Sequence, residues 1–226
     1  MAKGKTELSK AAVFIDAENQ SDLNPDTLMQ LLSQLDVVER HVYADWRNHR
    51  LDHLVEELHD LGFELHYTWS GPKLGDRKNE ADQQMAKGIQ CVVERNPYIE
   101  TIVIISGDHF FTRTVQRLRQ SGKYVIVAAT PRRVSKTLCN TADRYLPLGK
   151  VARWIQSLDQ AENTSPYMTF RFAAQKSGVR PSNLERLIRQ GIVIQERRTN
   201  PQWGEKREVY LNRDAYAVQA TLGFAA

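Results

Sequence analysis

The sequence predicts an α/β fold, a mostly parallel β-sheet sandwiched between helices, followed by a small basic module of helix-turn-helix type. Three observations predict it. Ala11 to Ile15 and Thr101 to Ile105 are short apolar runs without an internal charge, the pattern of strands buried on both faces, which belong to parallel sheets. Strand-like and amphipathic stretches alternate from residue 11 to residue 148. The turn-rich break Asn163-Thr164-Ser165-Pro166 then separates that run from a tail of different charge.

The first strand ends in Asp16-Ala17-Glu18-Asn19. In open α/β sheets ligands bind at the C-terminal ends of strands, so Asp16 is placed like a site residue, with capping of the next helix as the alternative. Asn24-Pro25-Asp26 reads as a helix start, and Leu28, Leu31, Leu32 and Leu35 follow at helical spacing. Val37 to Asp45 reads as a strand, the leucines from Leu51 to Leu61 as a helix stopped by Gly62, and Phe63 to Trp69 as a third strand. Ser70 to Arg77 is an expected loop. Lys78-Asn79-Glu80-Ala81-Asp82 opens a helix that buries Met85, Ile89, Val92 and Val93 and stops at Asn96-Pro97.

Strand Thr101 to Ser106 delivers Asp108 at its C-terminal edge. If it lies parallel to the first strand in one sheet, Asp16 and Asp108 converge on one rim. Carboxylates so placed repel, and a divalent cation is the usual means of keeping both ionised, hence an expected Mg²⁺ or Mn²⁺ site. A helix from Phe110 to Gln120, a strand from Tyr124 to Ala129, a helix around Ser135 to Asn140 and a short segment from Asp143 to Leu148 complete the pattern. Gly149 to Asn163 reads as a helix, giving expected boundaries of an N-terminal tail 1–10, an α/β domain 11–148, a linker helix 149–164 and a basic domain 165–226. In that last part, Phe170 to Lys176, Pro181 to Gln190 and two strands around Thr199-Asn200-Pro201 follow the winged helix-turn-helix order.

Composition narrows the function classes. The chain has 226 residues, 41% hydrophobic and 26% charged, as in soluble globular proteins. No apolar run approaches the ~20 residues of a membrane span, and Met1-Ala2-Lys3-Gly4-Lys5 has no apolar leader core. A cytoplasmic location and no membrane partner are expected. Cys91 and Cys139 have no CxxC or Cys/His spacing and read as reduced thiols, so neither a disulfide nor a cysteine-based zinc site is expected. The net charge of +4 hides an asymmetry: residues 165–226 hold 10 Lys and Arg against 5 Asp and Glu, and the rest hold 21 against 22. A basic module joined to an acid-lined one suggests an anionic polymer, nucleic acid above all.

Six motifs stand out in order: Val13-Phe14-Ile15-Asp16-Ala17-Glu18-Asn19, Tyr43-Ala44-Asp45-Trp46, Lys78-Asn79-Glu80-Ala81-Asp82, Ile105-Ser106-Gly107-Asp108 with Phe111, Leu118 to Lys123, and Ala142-Asp143-Arg144-Tyr145. Together they resemble the NYN domain family, a branch of the PIN-like nucleases. The resemblance spans residues 11 to 148 and implies a PIN-like Rossmannoid three-layer sandwich with metal-dependent endoribonuclease activity. By position it implies Asp16, Asp82 and Asp108 as metal-holding acids, Asp143 as a fourth and more variable acid, and Asn19 and Ser106 as polar groups that orient them. It implies hydrolysis by in-line attack of water, leaving a 5′-phosphate and a 3′-hydroxyl.

The chain departs from the family pattern twice. Phe110 stands where a second acid is common after Ser106-Gly107-Asp108, and Gly88 where another is common six residues after Asp82. His109 is a candidate ligand or proton carrier in compensation.

Arg47, Lys78, Arg132, Arg133 and Lys136 are expected near the same rim, placed to hold phosphates. In the tail, Arg180, Arg186 and Arg189 fall on or before the expected recognition helix, and Arg197, Arg198, Lys206 and Arg207 on the wing, with Trp203 at its tip. RNA is the expected partner, with DNA and a homodimer through the tail helix left open. Two other readings compete: a non-catalytic nucleic-acid-binding or regulatory protein on a degenerate nuclease scaffold, and a haloacid-dehalogenase-type phosphatase, against which Glu18 and Asn19 stand where that family has Asp and Thr or Val.

Overall fold

The computed structural model describes residues 9–21, 23–33, 35–68, 80–131, 134–200 and 204–223. The chain divides into two compact units, 1–146 and 147–226.

The first unit is a six-stranded sheet in the order β3-β2-β1-β4-β5-β6, formed by β1 Lys10–Asp16, β2 Asp36–Ala44, β3 Glu64–Tyr67, β4 Thr101–Ile105, β5 Tyr124–Ala129 and β6 Arg144–Pro147. The pairings β1 with β2, β1 with β4, β2 with β3 and β4 with β5 are all parallel. Chain order runs outward from β1 in one direction and from β4 in the other. The junction between β1 and β4 is therefore the point where the winding reverses.

Burial explains why these segments are strands. Ala11 to Ile15 and Ile102 to Ile105 are wholly inaccessible to solvent, so alternate side chains are covered on both faces, the three-layer arrangement expected of parallel strands. On one face Ala12, Phe14, Ile102, Ile104, Val125 and Val127 pack against Met85, Ile89 and Val92 of α3 (Glu80–Arg95) and Val115 and Leu118 of α4 (Thr112–Gln120). Each such aliphatic side chain contributes about 1.5–3 kcal/mol on burial. Helices α1 (Pro25–Leu32) and α2 (Asp52–Asp60) bury Leu28, Leu31, Leu54 and Leu58. Asn24 caps α1 by accepting from the Thr27 amide at 3.2 Å, with Pro25 following where its missing N–H costs nothing. Helix α5 (Lys136–Thr141) is capped by Ser135, whose Oγ accepts from the Leu138 amide.

The expected elements differ from the observed ones mainly at their ends. The helix read as Phe110 to Gln120 begins with a 3-10 turn, His109–Phe111, because Asp108 caps that turn through the Phe110 amide. The α1 helix stops at Leu32 rather than Leu35. The segment 69–79, read as a strand end, a loop and the opening residues of a helix, lies outside the described residues.

The second unit consists of α6 (Gly149–Glu162), α7 (Phe170–Ser177), α8 (Pro181–Arg189), the antiparallel hairpin of β7 (Val193–Asn200) and β8 (Gly204–Leu211), and α9 (Tyr216–Leu222). Helix α6, read as a linker, contributes Ile155, Leu158 and Ala161 to the core here, beside Leu184, Leu187, Val209, Leu211 and Val218. No helix among the described residues is long and apolar enough to cross a membrane. Both cysteines are free, Cys139 buried and Cys91 exposed.

Candidate active site

The acids gather at the point where the sheet winding reverses. Asp16 is the last residue of β1, and Ser106, Gly107 and Asp108 follow β4, its direct neighbour. The two strand ends are locked together by side chains. Ser106 Oγ donates to Asp16 Oδ2 at 2.9 Å and accepts from the Asp108 amide at 3.2 Å. The Asn19 amide donates to Asp16 Oδ1 at 3.0 Å, while Asn19 Oδ1 accepts from the Gly107 amide at 2.8 Å. Gln20, fully buried, accepts from the Thr130 amide at 3.1 Å and so ties the β1 loop to the end of β5. Asn19 and Ser106 thus hold Asp16 from two sides.

The electrostatics mark the same place. Asp16 is 5% exposed, and burial raises its pKa from 3.8 to about 6 against the lowering pull of the Asn19 and Ser106 hydrogen bonds, with the charges of Glu18 and Asp108 adding to the rise. Asp82, in the first turn of α3, is raised further, to about 7, by burial and then by the charges of Asp16, Asp108 and Glu18. Four carboxylates on three segments therefore share one field. Among the described residues no lysine or arginine is ion-paired to Asp16, Asp82 or Asp108. His109, an exposed ring, stands with Nδ1 3.1 Å from Asp108 Oδ1.

A divalent cation fits this donor set. Hard carboxylate oxygens with raised proton affinity at Asp16 and Asp82, and no ion-paired basic side chain among the described residues, are what Mg²⁺ or Mn²⁺ would compensate. Among the described residues, however, three ligand atoms lie within 4.8 Å of one another only at His41, Glu64 and His66, and not among the acids. A Mg²⁺ ion there would take one or two carboxylates directly and complete its shell with water or phosphate oxygens, as that ion commonly does.

The structure sends the other expected residues to different places. Asp143 does not join the rim: its Oδ1 accepts from Arg119 Nε at 2.8 Å and its Oδ2 from the Val125 amide at 2.8 Å, at the start of β5 and so at the opposite, N-terminal end of the strands. It holds the entrance to β6 in register. Phe110 packs against the core cluster and meets Phe111 edge to face, with ring centroids 5.4 Å apart. At Gly88 a Cβ would stand 2.0 Å from the Tyr43 hydroxyl oxygen, so Tyr43 already fills the space an acid would need.

Arg47 clamps Asp45 with its Nε at 2.7 Å, and Asp45 in turn has its amide on Glu18 Oε1 at 2.8 Å. Lys136 is exposed in the first turn of α5. Lys78, Arg132 and Arg133 lie outside the described residues, as does Trp203.

In the second unit Arg180 precedes α8, and Arg186 and Arg189 lie in its last turn, Arg186 stacked over Trp154 at 4.9 Å. The hairpin register sets Arg197 opposite Arg207 and Arg198 opposite Lys206. Like charges directly opposite one another are unfavourable across a strand pair, which an anionic ligand would reverse. Arg198 is relieved in part by Glu196 at 3.0 Å and by the Tyr210 ring, and Arg197 by Glu205 at 3.8 Å.

Sequence reasoning missed Glu18 as a member of the acid group. The signal was available in the spacing Asp16-Ala17-Glu18, since residues two apart leaving a strand keep to one side.

A doubly wound parallel sheet with carboxylates at its switch point defines an acid-lined α/β domain of the PIN-like kind. The chain belongs to the NYN domain family, whose model matches residues 10–149. That family lies within a nuclease superfamily. The chain is 28% identical over 146 residues to the uncharacterized protein MJ0482 of Methanocaldococcus jannaschii, a match covering 62% of this chain and 56% of that one. It thus spans little more than half the length of that relative. It is 30% identical over 171 residues to the low amplitude and bright protein LabA of Synechococcus elongatus, covering 68% of this chain and 91% of LabA. A crystal structure of a Vibrio parahaemolyticus protein of unknown function, VPA0982, shares the fold with a TM-score of 0.53 and 21% identity, covering 66% of this chain and 98% of that one.

Proposed function

We propose that the chain is a cytoplasmic metal-dependent endoribonuclease, with Asp16, Asp82 and Asp108 holding Mg²⁺ or Mn²⁺ and the basic second unit holding RNA. The observation that carries the reading is the pair of raised pKa values, about 6 at Asp16 and about 7 at Asp82, at a strand-end cluster to which no lysine or arginine is ion-paired among the described residues. Bound there, the cation would make water a stronger acid and offset charge on the phosphodiester in the transition state.

The chain's own residues do the positioning. Asn19 and Ser106 fix both oxygens of Asp16, and Asp108 Oδ1 is fixed by capping its own 3-10 turn. His109, exposed beside Asp108, is suited to give a proton to the departing 3′-oxygen. The second unit reads as a winged helix, with α8 and the β7-β8 hairpin supplying Arg180, Arg186, Arg189, Arg197, Arg198, Lys206 and Arg207 to phosphates.

The second reading is a nucleic-acid-binding protein without cleavage, favoured by Phe110 and Gly88 at positions where acids are common. The test is incubation of the full chain with single-stranded and structured RNA in Mn²⁺ or Mg²⁺. Cleavage should stop with chelator and fall at least 100-fold in Asp16→Asn or Asp108→Asn, as removal of directly acting groups does. RNA binding with no cleavage in either metal would leave the second reading standing, and unchanged rates in both variants would refute the aspartate cluster as the centre that cuts.

A further inference from the structure

We propose that His41, Glu64 and His66 form a second, chemically different metal site, for a divalent transition metal such as zinc, on one face of the sheet edge made by β2 and β3. Strand alternation sets it up. Glu39, His41 and Tyr43 share a face of β2, Glu64 and His66 the same face of β3, and the parallel register places His41 beside Glu64 and Tyr43 beside His66.

The separations suit one ion. His41 Nδ1 is 3.0 Å from His66 Nε2 and 3.4 Å from Glu64 Oε2, and His66 Nε2 is 3.8 Å from that same oxygen. Four ligands at about 2.0–2.1 Å in a tetrahedron stand roughly 3.3–3.4 Å apart, and the three observed spacings straddle that value. Two imidazoles with one carboxylate favour zinc and its neighbours over Mg²⁺ or Ca²⁺, which prefer all-oxygen shells.

The surroundings are those of a held ligand set. His41 has its other ring nitrogen, Nε2, 3.0 Å from Glu39 Oε2, the outer carboxylate that directs the opposite lone pair at a metal. Glu39 is itself fixed through Oε1 by Asn96 Nδ2 at 2.7 Å and Arg95 Nη2 at 3.3 Å. The rings are clamped by stacking, His41 on Phe14 at 5.2 Å and His66 on Tyr43 at 4.4 Å. Exposure rises across the set, from a buried His41 through His66 at 29% to Glu64 at 66%, which leaves a fourth position open to water on the Glu64 side.

The consequence is structural. Strand β3 is four residues long and, among the described residues, lies at the sheet edge beside β2, so an ion bridging the two strands staples the edge. This inference does not rest on the nuclease reading.

The test uses the full chain, stripped with chelator and dialysed against zinc chloride, with bound metal counted and the melting temperature recorded. One zinc per chain, a higher melting temperature with zinc, and the intense visible absorption of tetrahedral Co²⁺ on cobalt substitution are expected. Glu39→Gln, a positioning change, should weaken zinc about 10–100-fold. Glu64→Gln and His66→Ala should weaken it more, and Asp16→Asn should leave it unchanged. Glu64 is exposed enough that its variant folds, whatever His66→Ala or His41→Ala does. No stoichiometric zinc on the wild type would show a hydrogen-bonded His41–His66 pair and nothing more, and so overturn the proposal. Wild-type affinity in Glu64→Gln and His66→Ala, or loss of zinc in Asp16→Asn alone, would overturn it equally.

Discussion

Asp82→Asn should make the metal-free protein more stable, and more so the higher the pH. In the folded chain the Asp82 carboxyl has moved from its ordinary 3.8 to about 7, so the native state binds its proton more tightly than the unfolded chain does. For a group raised in this way, stability is fullest below about pH 4 and is lost as pH climbs through 7. At about 1.4 kcal/mol per pH interval, the full displacement is worth at most about 4 kcal/mol. Asp82 is only half-buried, and solvent screening brings the figure nearer 1–3 kcal/mol. The asparagine keeps the shape and removes the charge, which also relieves Asp16 and Asp108.

The assay is urea unfolding of both proteins in chelator at about pH 5.5 and about pH 8. Asp82→Asn should gain about 1–2 kcal/mol more at the higher pH than at the lower. Adding Mn²⁺ at the higher pH should stabilise the wild type by mass action and leave the variant behind. A variant less stable than wild type at both pH values, or a difference that does not grow with pH, would refute the placement of Asp82 in a field of uncompensated carboxylates.

Three further outcomes follow from single contacts. Ser106→Ala removes a buried donor to Asp16, so Asp16 should titrate above its present value of about 6 by NMR, and unfolding should cost about 1–3 kcal/mol less. Gly88→Ala should destabilise despite better helix propensity, because its Cβ would meet a Tyr43 hydroxyl that stacking on His66 holds in place; overpacking of about 1–3 kcal/mol exceeds the ~1 kcal/mol helix gain, and adding Tyr43→Phe should recover part of the melting temperature. Asp143→Ala should lower stability by about 1–3 kcal/mol through the loss of its Arg119 and Val125 contacts, while the proposed RNA cleavage, assayed on the folded fraction, keeps its wild-type rate.

What was legible in the sequence was what local pattern alone can carry. Ala11 to Ile15 and Thr101 to Ile105 have no charge to place in water, so their burial and parallel pairing follow from composition. Asp16 and Asp108 were legible because each is the first charge after such a run. Asp143 was misplaced because its motif shows that it precedes a strand but not that this strand starts at the end of the sheet opposite the rim. The His41, Glu64 and His66 group was not legible for a related reason. Each strand shows only an acid and a histidine two residues apart, Glu39 with His41 and Glu64 with His66, and their meeting depends on a register fixed by the rest of the sheet.

The two departures from the family pattern have one physical character. Phe110 turns toward the core and packs on Phe111, and Gly88 is bare so that the Tyr43 hydroxyl can lie over α3. In both places aromatic volume stands where a carboxylate would, and Asp82 shows which way more negative charge would push, since burial first and then the charges of Asp16, Asp108 and Glu18 already raise its pKa to about 7. Burial drives the Tyr43 pKa to about 12, with Glu64 and Cys91 adding to the rise, so its hydroxyl stays protonated. Its ring stacks on His66, so the side chain that excludes an acid at position 88 also orients one of the two imidazoles at the sheet edge. Restoring the acid by Gly88→Asp therefore has to displace Tyr43. It should disturb His66, and with it the proposed zinc uptake, even though the atoms nearest a side chain at position 88 belong to Tyr43.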